Sequence, residues 1–476
     1  MRAGFMTSER ALKPLPPRPA LGSDSGWRDE LRATFKLAWP LALANLLQML
    51  VHAVDVVFVA RLGERELAAS ALAIALFGLL MWALSGLTGI VAALIAEELG
   101  RRRHAVREVR RSVRMALWLA VASGAVGMAL CWQGEAFMLL TGQSDPLADR
   151  AGDFLRVIMF AMIPMIAASV LRSFVSALGR PIFATAITFV ALFASLLFNY
   201  AFVFGNLGAP AWGLEGSALA SVLTACVQLL SYVVAILTDR RLRRYRIFGN
   251  WWRPEWSRLR ELIRLGSPVM MIIIAEAGLF SGAAFLMGRI GEAELAGHTV
   301  ALQLAALAFQ IPFGVGQAAT IRVGYHYGAQ DHAAIGRAGW AGIAMGGGFM
   351  LLTAGAMLFA PLLLLRIYID PDAPANAAMA GFAIQFMAVA AAFQLFDGIQ
   401  AVAAGALRGL QDTKLPMLIA IFSYWVPGYG VALWLGFWTP LAGTGVWIGL
   451  AIGLVFSASL LTWRWARREA LGLTRA

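Results

Sequence analysis

Long apolar stretches recur along the whole chain and are separated by short polar segments. Each stretch is continuous and holds about twenty or more residues, the length that an α-helix needs to cross the hydrocarbon core of a bilayer. Strands of a transmembrane barrel would instead alternate apolar and polar residues over about ten positions. The pattern therefore predicts twelve membrane-spanning helices, at residues 37–60, 67–96, 113–133, 155–178, 181–205, 212–238, 262–288, 295–321, 338–365, 377–407, 415–437 and 440–463.

Composition supports this prediction. Hydrophobic residues make up 60% of the 476 residues, charged residues only 14%, and the mean hydropathy is +0.72. A soluble domain has about half apolar and a quarter charged residues, so the expected fold class is an all-α polytopic membrane protein. The sequence has no HExxH, P-loop or GxSxG motif, and an enzyme is not expected. Cys131 and Cys226 lie in apolar stretches without metal-ligand spacing, so neither a structural metal nor another cofactor is expected.

The basic residues are unevenly distributed between the two sets of loops. Of the 39 lysines and arginines, thirty-three lie at the two chain ends and in alternate loops, and six lie in the other loops. This asymmetry follows the positive-inside rule and predicts that both termini are cytoplasmic. It also accounts for the net charge of +12, so no nucleic-acid partner is needed to explain that charge.

The chain contains an internal duplication with an offset of 228 residues. The octapeptide from Arg61 to Ala68, RLGERELA, nearly repeats as RIGEAELA from Arg289 to Ala296. The same offset relates three further pairs of identical residues, namely Pro40 and Pro268, Gly86 and Gly314, and Gly100 and Gly328. Two copies of one unit along a chain indicate a repeat architecture.

Six spans per copy insert both copies in the same direction, which predicts two pseudo-symmetric lobes about an axis along the membrane normal. The linker carries several arginines together with Trp251, Trp252 and Trp256, a composition that suits contact with lipid headgroups. The predicted divisions are a cytoplasmic tail at 1–34, an N-terminal six-helix lobe at 35–238, a cytoplasmic linker at 239–261, a C-terminal six-helix lobe at 262–465 and a tail at 466–476.

Three acidic residues lie well inside predicted spans: Asp55, Glu276 and Asp397. A charge at the centre of a spanning helix costs about 2.5–3.5 kcal/mol even on mild scales, so each acid is a candidate functional residue. Glu276 and Asp397 lie near the expected midplane, and Asp55 lies in the outer half. The duplication places Gln48 at the position equivalent to Glu276, so the scaffold is repeated and this charge is not.

No basic residue shares these spans at similar depth, so the acids are expected to bind a cation, to hold a proton or to pair with polar neighbours. Burial disfavours the charged form of a carboxyl group, which suits proton binding and release. Coordination of a monovalent cation by oxygen atoms is the rival use. A buried acid satisfied by polar neighbours in its own bundle, and amides that only join helices, are the structural alternatives. The amides nearby in sequence are Asn45, Gln48, Asn199, Gln303, Gln394 and Gln400, and His52 lies one turn before Asp55.

Several motifs follow one another in a consistent order from about Leu37 to Trp463. They are His52-Ala53-Val54-Asp55 with Arg61-Leu62-Gly63, Asn199-Tyr200-Ala201-Phe202-Val203-Phe204-Gly205, Glu276, His298-Thr299-Val300-Ala301, Ile321-Arg322-Val323-Gly324 with Gly328, and Asp397 with Leu407-Arg408-Gly409. Together they resemble the motifs of multidrug and toxic compound extrusion (MATE) transporters, most closely the NorM-type bacterial branch. Glu276 is similar to that family's seventh-helix glutamate, and Asp397 to its tenth-helix aspartate.

The resemblance implies two six-helix lobes in a V around a cavity that opens alternately to each side of the bacterial inner membrane. It further implies antiport, in which inward movement of H⁺ or Na⁺ drives export of organic cations or aromatic drugs. Glu276 and Asp397 would then form the cation site of the C-terminal lobe, and Asp55 with Asn199 the site of the N-terminal lobe. Further residues expected at the substrate or cation cavity are Gln48, Gln303, Phe280 and Phe393.

Three positions depart from the family pattern. One is Glu97, three residues before Gly100, where the family often has a glutamine. Phe393 stands where many relatives have a tyrosine, four residues before the tenth-helix aspartate, and Ser195 stands one turn before Asn199 where a second asparagine can occur. The absent phenolic oxygen removes a potential Na⁺ ligand, which favours H⁺ as the coupling ion. One chain holds a complete set of candidate residues, so a functional monomer is expected.

The alternatives are other membrane proteins. A flippase of the same superfamily, moving lipid-linked saccharides, often has fourteen spans and basic cavity residues, whereas this chain has twelve predicted spans and acids inside them. A major-facilitator carrier is supported only by the loose motif from Glu98 to Arg103. A membrane scaffold has no need for acids at the midplane, and a channel would more often show a ring of residues from symmetric subunits.

Overall fold

The structure is a computed structural model that describes residues 26–101, 105–249 and 252–474. Residues 1–25 of the predicted N-terminal tail, Trp251 of the linker and the last two residues of the C-terminal tail lie outside the described residues. Part of the Glu98 to Arg103 motif lies outside them as well.

Within the described ranges, twelve helices are long and apolar enough to cross a membrane, which confirms the predicted all-α fold class and the number of spans. The helices are α1 Trp27–Ala60, α2 Glu64–Arg101, α3 Ala105–Trp132, α4 Asp145–Ala177, α5 Ile182–Phe204, α6 Gly213–Thr238, α7 Trp256–Ile290, α8 Glu292–Gly328, α9 His332–Phe359, α10 Pro374–Gly409, α11 Lys414–Phe437 and α12 Ala442–Ala466.

Most helices extend beyond the apolar stretch that predicted them. Helix α1 begins at Trp27, inside the predicted tail, and α4 begins at Asp145, ten residues before the predicted span. Hydropathy marks only the lipid-facing centre of a helix, and the backbone hydrogen bonds continue through its polar ends. Those ends matter here because they carry ion pairs that join different helices.

The first two helices of each repeat form the interface between the lobes. Helix α1 packs against α8, and α2 packs against α7. Under the 228-residue duplication α1 corresponds to α7 and α2 to α8, so each of these two helix pairs is the symmetric counterpart of the other. The pseudo-two-fold relation inferred from the repeats is therefore present in the packing of the helices.

The lobes meet near the face of the bundle that carries Trp27 and Ala466, called the terminal face below. One buried apolar cluster combines N-terminal lobe residues with the terminal-face parts of α8 and α10, such as Val323 and Leu407. The other parts of α8 and α10 belong to a second cluster, formed only by C-terminal lobe residues such as Leu304 and Phe386. The two lobes thus share a core at the terminal face and have separate surroundings toward the opposite face, as the expected V shape requires.

Buried ion pairs reinforce this junction. Glu30 of α1 is 0% exposed and accepts two hydrogen bonds from Arg322 of α8, at 2.8 and 2.6 Å. His326 lies one turn further along α8, with its Nε2 atom 3.2 Å from the same guanidinium group. Arg258 of α7 reaches across to Glu98 of α2 at 2.9 Å. These contacts join opposite repeats through charges that are shielded from solvent.

Candidate functional site

Two of the predicted acids converge on one amide group in the C-terminal lobe. The Nε2 atom of Gln400 lies 3.3 Å from Glu276 Oε1 and 3.5 Å from Asp397 Oδ1. Asp397 and Gln400 are three residues apart on α10 and so share one helix face, while Glu276 reaches them from α7. The structure thereby brings together two acids that are 121 positions apart in the sequence.

The oxygen of the same amide is held by two hydroxyl groups. Tyr424 of α11 donates to Gln400 Oε1 at 2.6 Å, and Ser457 of α12 donates to it at 3.0 Å. Tyr424 and Ser457 are both 0% exposed, and Gln400 is 4% exposed. Four helices thus contribute to one buried polar cluster, which consists of Glu276, Asp397, Gln400, Tyr424 and Ser457 and is called the C-lobe cluster below.

Helix α11 is irregular where it contributes to this cluster. Residues Tyr424–Gly428 form a single π-helical turn with Pro427 inside it. Proline lacks the backbone N–H that an α-helix needs, and π turns often mark functional sites in helices. In the sequence, Pro427 within an apolar stretch is the one indication of an irregular helix near Tyr424. Neither Tyr424 nor Ser457 was predicted as a site residue.

Within the described part of the chain, none of the three acids inside spans forms a salt bridge. Asp397 is 5% exposed and Asp55 is 8% exposed, so both carboxyl groups are largely removed from solvent. Their partners are neutral amides and hydroxyl groups. A site of this kind can accept a proton or a small cation because no resident positive charge already compensates the carboxyl groups.

The N-terminal lobe contains a second polar cluster around Asp55. Its Oδ1 atom accepts hydrogen bonds from Ser195 at 3.1 Å and Asn199 at 2.7 Å, and its Oδ2 atom accepts one from Ser221 at 2.8 Å. Ser217 completes the cluster by donating to Asn199 Oδ1 at 3.1 Å. Sequence reasoning paired Asp55 with Asn199 and noted Ser195, but it did not include the two serines of α6. His52, one turn before Asp55, has an exposed side chain.

The two lobes place their acids at different positions of the repeat. Gln48, the counterpart of Glu276, accepts a hydrogen bond from Gln228 at 3.1 Å, within its own lobe. The counterpart of Asp55 is Ala283, which is fully buried. The two acid positions differ by seven residues along equivalent helices, or about 10 Å at 1.5 Å per residue. The clusters therefore lie at different depths along the pseudo-symmetry axis.

Three other candidate cavity residues have different surroundings. Phe393 is 1% exposed and stacks on Trp447 with ring centroids 5.6 Å apart, so its ring is not part of a cavity wall in this conformation. Phe280 is half-buried against the C-terminal lobe core, and Gln303 is exposed on α8. None of the three has a hydrogen bond or ring contact with the C-lobe cluster within the described residues.

Arg172 has a buried role that the sequence reasoning did not assign. Its guanidinium group lies on α4 and donates to Asn45 Oδ1 at 2.5 Å and to the carbonyl oxygen of Leu41 at 3.3 Å. Asn45 in turn donates to the carbonyl oxygen of Gln310 in the opposite lobe, at 3.4 Å. Asn45 is therefore a contact between the lobes and is separate from both acidic clusters.

Comparison with known proteins agrees with this arrangement. The family model MatE matches residues 40–201 and again residues 268–434, and the two matches begin 228 positions apart, as the two repeats do. The chain belongs to the MatE family. Full-length relatives include "Probable multidrug resistance protein NorM" of Mesorhizobium japonicum, 44% identical over 94% of this chain and 95% of that protein. The protein of the same name from Brucella suis is 39% identical over 95% of this chain and 96% of its own length.

Solved structures of MATE transporters share the fold. The crystal structure of the eukaryotic MATE transporter AtDTX14 superposes with a TM-score of 0.83 at 18% identity, covering 94% of this chain and all of that chain. At this identity the likeness concerns the fold alone. It agrees with the all-α fold of twelve spans in the described residues, in which the C-lobe cluster lies within α7–α12 and the Asp55 cluster within α1–α6.

Proposed function

We propose that this MATE protein is a secondary antiporter that exports organic cations and aromatic drugs in exchange for H⁺, which we favour over Na⁺ as the coupling ion. The observation that carries the proposal is the convergence of Glu276 and Asp397 on one amide nitrogen, at 3.3 and 3.5 Å, with no salt bridge to either acid within the described residues. Two carboxyl groups in one buried cluster form a site whose charge depends on what is bound.

Coupling then follows from competition for this charge. Two carboxylates held close together in a site of low polarity repel each other, so binding of a proton or a cation stabilises the pair. An organic cation in the cavity stabilises the same negative charge, so the drug and the coupling ion compete for the same pair of carboxylates. Only a difference in affinity between the outward-open and inward-open states lets one gradient drive the other flux.

Two structural features support H⁺ over Na⁺. The position where many relatives have a tyrosine is occupied by Phe393, whose ring is buried against Trp447 and offers no oxygen. The amide group between the acids presents its nitrogen to them, whereas hard cations prefer oxygen ligands. A proton needs only one carboxylate oxygen, so it can bind without rearrangement of the cluster.

The proposed location is the bacterial cytoplasmic membrane, with both termini and the terminal face on the cytoplasmic side. The excess of basic residues at the chain ends and in alternate loops supports this orientation. In the described conformation the lobes are joined at the terminal face, so the cavity would open to the outside. One chain supplies every residue of both clusters, which supports function as a monomer.

The decisive test is dye transport in everted membrane vesicles energised separately by a proton gradient or a sodium gradient. We expect proton-driven accumulation of a fluorescent organic cation by the wild type and at least a tenfold loss in Glu276→Gln and Asp397→Asn, about 1.4 kcal/mol of coupling. The matched controls are Glu215→Gln and Asp149→Asn, which change exposed acids and should transport normally. Normal transport by both cluster variants would contradict the assigned role of these acids.

The flippase alternative is tested in the same membranes. If the wild type moves no organic cation under either gradient but does translocate a fluorescent lipid-linked saccharide, the flippase activity replaces the proposed export. Dye transport without lipid translocation supports the antiporter.

A further inference from the structure

The amide group of Gln400 has two chemically different ends, and each end has its own partners. Its nitrogen faces Glu276 and Asp397, and its oxygen faces the hydroxyl groups of Tyr424 and Ser457. We propose that Tyr424 and Ser457 fix Gln400 in this orientation and thereby make the acidic pair select H⁺ and reject Na⁺. This inference rests on the proposed function, since it concerns the coupling ion of the same site.

The two hydroxyl groups determine which way the amide points. A rotation of the amide by 180° would turn its NH₂ group toward Tyr424 and Ser457 and remove the acceptor to which both hydroxyl groups donate. It would also direct a carbonyl oxygen at two carboxyl groups that now receive N–H groups. Each buried hydrogen bond that is lost without replacement costs about 1–3 kcal/mol, so the observed orientation is strongly favoured.

The orientation has a direct consequence for ion binding. Na⁺ binds by gathering oxygen ligands, and a site between two carboxylates gains affinity when a carbonyl oxygen completes the ligand set. Here the group that α10 directs at both carboxylates is the amide nitrogen of Gln400, whose hydrogens carry partial positive charge and repel a cation. Protonation of one carboxylate leaves the other to accept the N–H group, so H⁺ binding is compatible with the fixed amide.

No other described group near the acidic pair alters its preference for H⁺ over Na⁺. The titratable groups that face the acidic pair from the helices packed around it are the two acids themselves and the phenol of Tyr424. Phe393 supplies no oxygen, and Ser457 directs its hydroxyl at Gln400. Tyr424 is 0% exposed and lies in the π turn of α11, so its hydroxyl is held in place by the surrounding core. Ion selectivity therefore depends on two hydroxyl groups that donate to Gln400 and form no hydrogen bond with the acids within the described residues.

The test uses the double variant Tyr424→Phe with Ser457→Ala, which frees the amide oxygen to turn toward the acids. In reconstituted vesicles the wild type should transport dye with a proton gradient and be insensitive to Na⁺. The double variant should keep proton-driven transport and gain Na⁺-driven transport by about tenfold, the effect of roughly one buried hydrogen bond. Gln400→Met, which has no oxygen to offer, should not gain Na⁺-driven transport when combined with the same two changes.

The matched control is Tyr429→Phe with Ser423→Ala, which makes the same two chemical changes within α11, beside Tyr424. Ser423 is 0% exposed, and its hydroxyl has no hydrogen-bond partner among the described residues. Tyr429 follows the π turn, and its ring centroid lies 5.4 Å from that of Trp425 in a tilted arrangement. This control should behave as the wild type under both gradients.

A binding measurement separates failure of this inference from failure of the proposed function. Thermal unfolding of the purified protein is compared in sodium chloride and in choline chloride, because a ligand bound only by the folded state raises its stability. Sodium should stabilise the double variant and leave the wild type and control unchanged. Stabilisation of the wild type by sodium, or of neither protein, would overturn the inference. Absence of dye transport by the wild type under both gradients would instead count against the proposed export.

Discussion

Gly100 and Gly328 occupy equivalent positions of the two repeats, and each lies against the backbone of the other repeat. A Cβ atom on Gly100 would lie 2.1 Å from the carbonyl oxygen of Tyr325, and one on Gly328 would lie 2.0 Å from the carbonyl oxygen of Glu97. Glu97 and Tyr325 are themselves 228 residues apart, so the contact is reciprocal. Small residues permit this closeness of helices in membranes, and here they bring the lobes together at the terminal face.

Replacement of either glycine should weaken the junction. We expect Gly100→Ala and Gly328→Ala each to lower the stability of the described conformation by about 1–3 kcal/mol, because the added carbon meets backbone and not a movable side chain. Thermal unfolding in detergent measures this loss. Gly78→Ala is the control on α2, where an added Cβ has no atom within 4 Å. An equal effect of all three substitutions would show that general helix properties, and not the crossing, account for the change.

The pair between Glu30 and Arg322 should be one of the strongest contacts between the lobes. Arg322→Met leaves the carboxylate of Glu30 buried without its partner, which typically costs about 3–5 kcal/mol. The double variant Glu30→Leu with Arg322→Met removes both charges and should recover much of that loss. Unfolding of the two single variants and the double variant gives the coupling as a double-mutant cycle.

An exposed pair provides the comparison for this cycle. Arg366 and Asp372 lie 3.1 Å apart with side chains 61% and 72% exposed, so Arg366→Gln should change stability by less than about 1 kcal/mol. If the buried pair proves as weak as this one, the contact between α1 and α8 does not depend on charge.

The hydrogen bond from Asn199 to Asp55 should be needed for transport. A bond of 2.7 Å to a buried carboxyl group is of the charge-assisted kind, worth about 1.5–3 kcal/mol, so Asn199→Ala should lower dye transport about tenfold or more. Ser231→Ala is the control in the same lobe, since that hydroxyl donates only to a carbonyl oxygen of its own helix. Undiminished initial rates in Asn199→Ala would assign the Asp55 cluster to structure alone.

A tyrosine at position 393 should not by itself introduce coupling to Na⁺. The ring of Phe393 is buried against Trp447, so the hydroxyl of Phe393→Tyr would enter the lobe core without an evident acceptor and would cost about 1–3 kcal/mol. The predicted result is lower thermal stability with proton-driven dye transport retained. Sodium-driven transport by this variant would show that the side chain can rotate to the acidic pair.

Much of the candidate site could be predicted because its acids are conspicuous in their local sequence. Glu276, Asp397 and Asp55 stand alone in apolar stretches, and a charge there has a cost that demands an explanation. Tyr424, Ser457, Ser217 and Ser221 could not be predicted in the same way, because hydroxyl residues occur in many spanning helices without a special role. The family resemblance implied that Phe393 lies at the cavity, whereas the structure packs its ring against Trp447 inside the lobe, a contact between helices that the sequence does not reveal.

The twelve spans, the duplication and the three isolated acids can all be read from the amino-acid sequence alone. Each of these depends on properties that a single stretch of chain carries: apolar length, residue identity at a constant offset, or the cost of one buried charge. Which polar groups contact one another, in contrast, follows from the packing of the helices in three dimensions. Tyr424 and Ser457 reach Gln400 across 24 and 57 residues of sequence, and the reciprocal glycines meet across 228. Such contacts depend on how each helix is rotated and how closely the helices pack. The hydropathy of the separate helices carries no information about either.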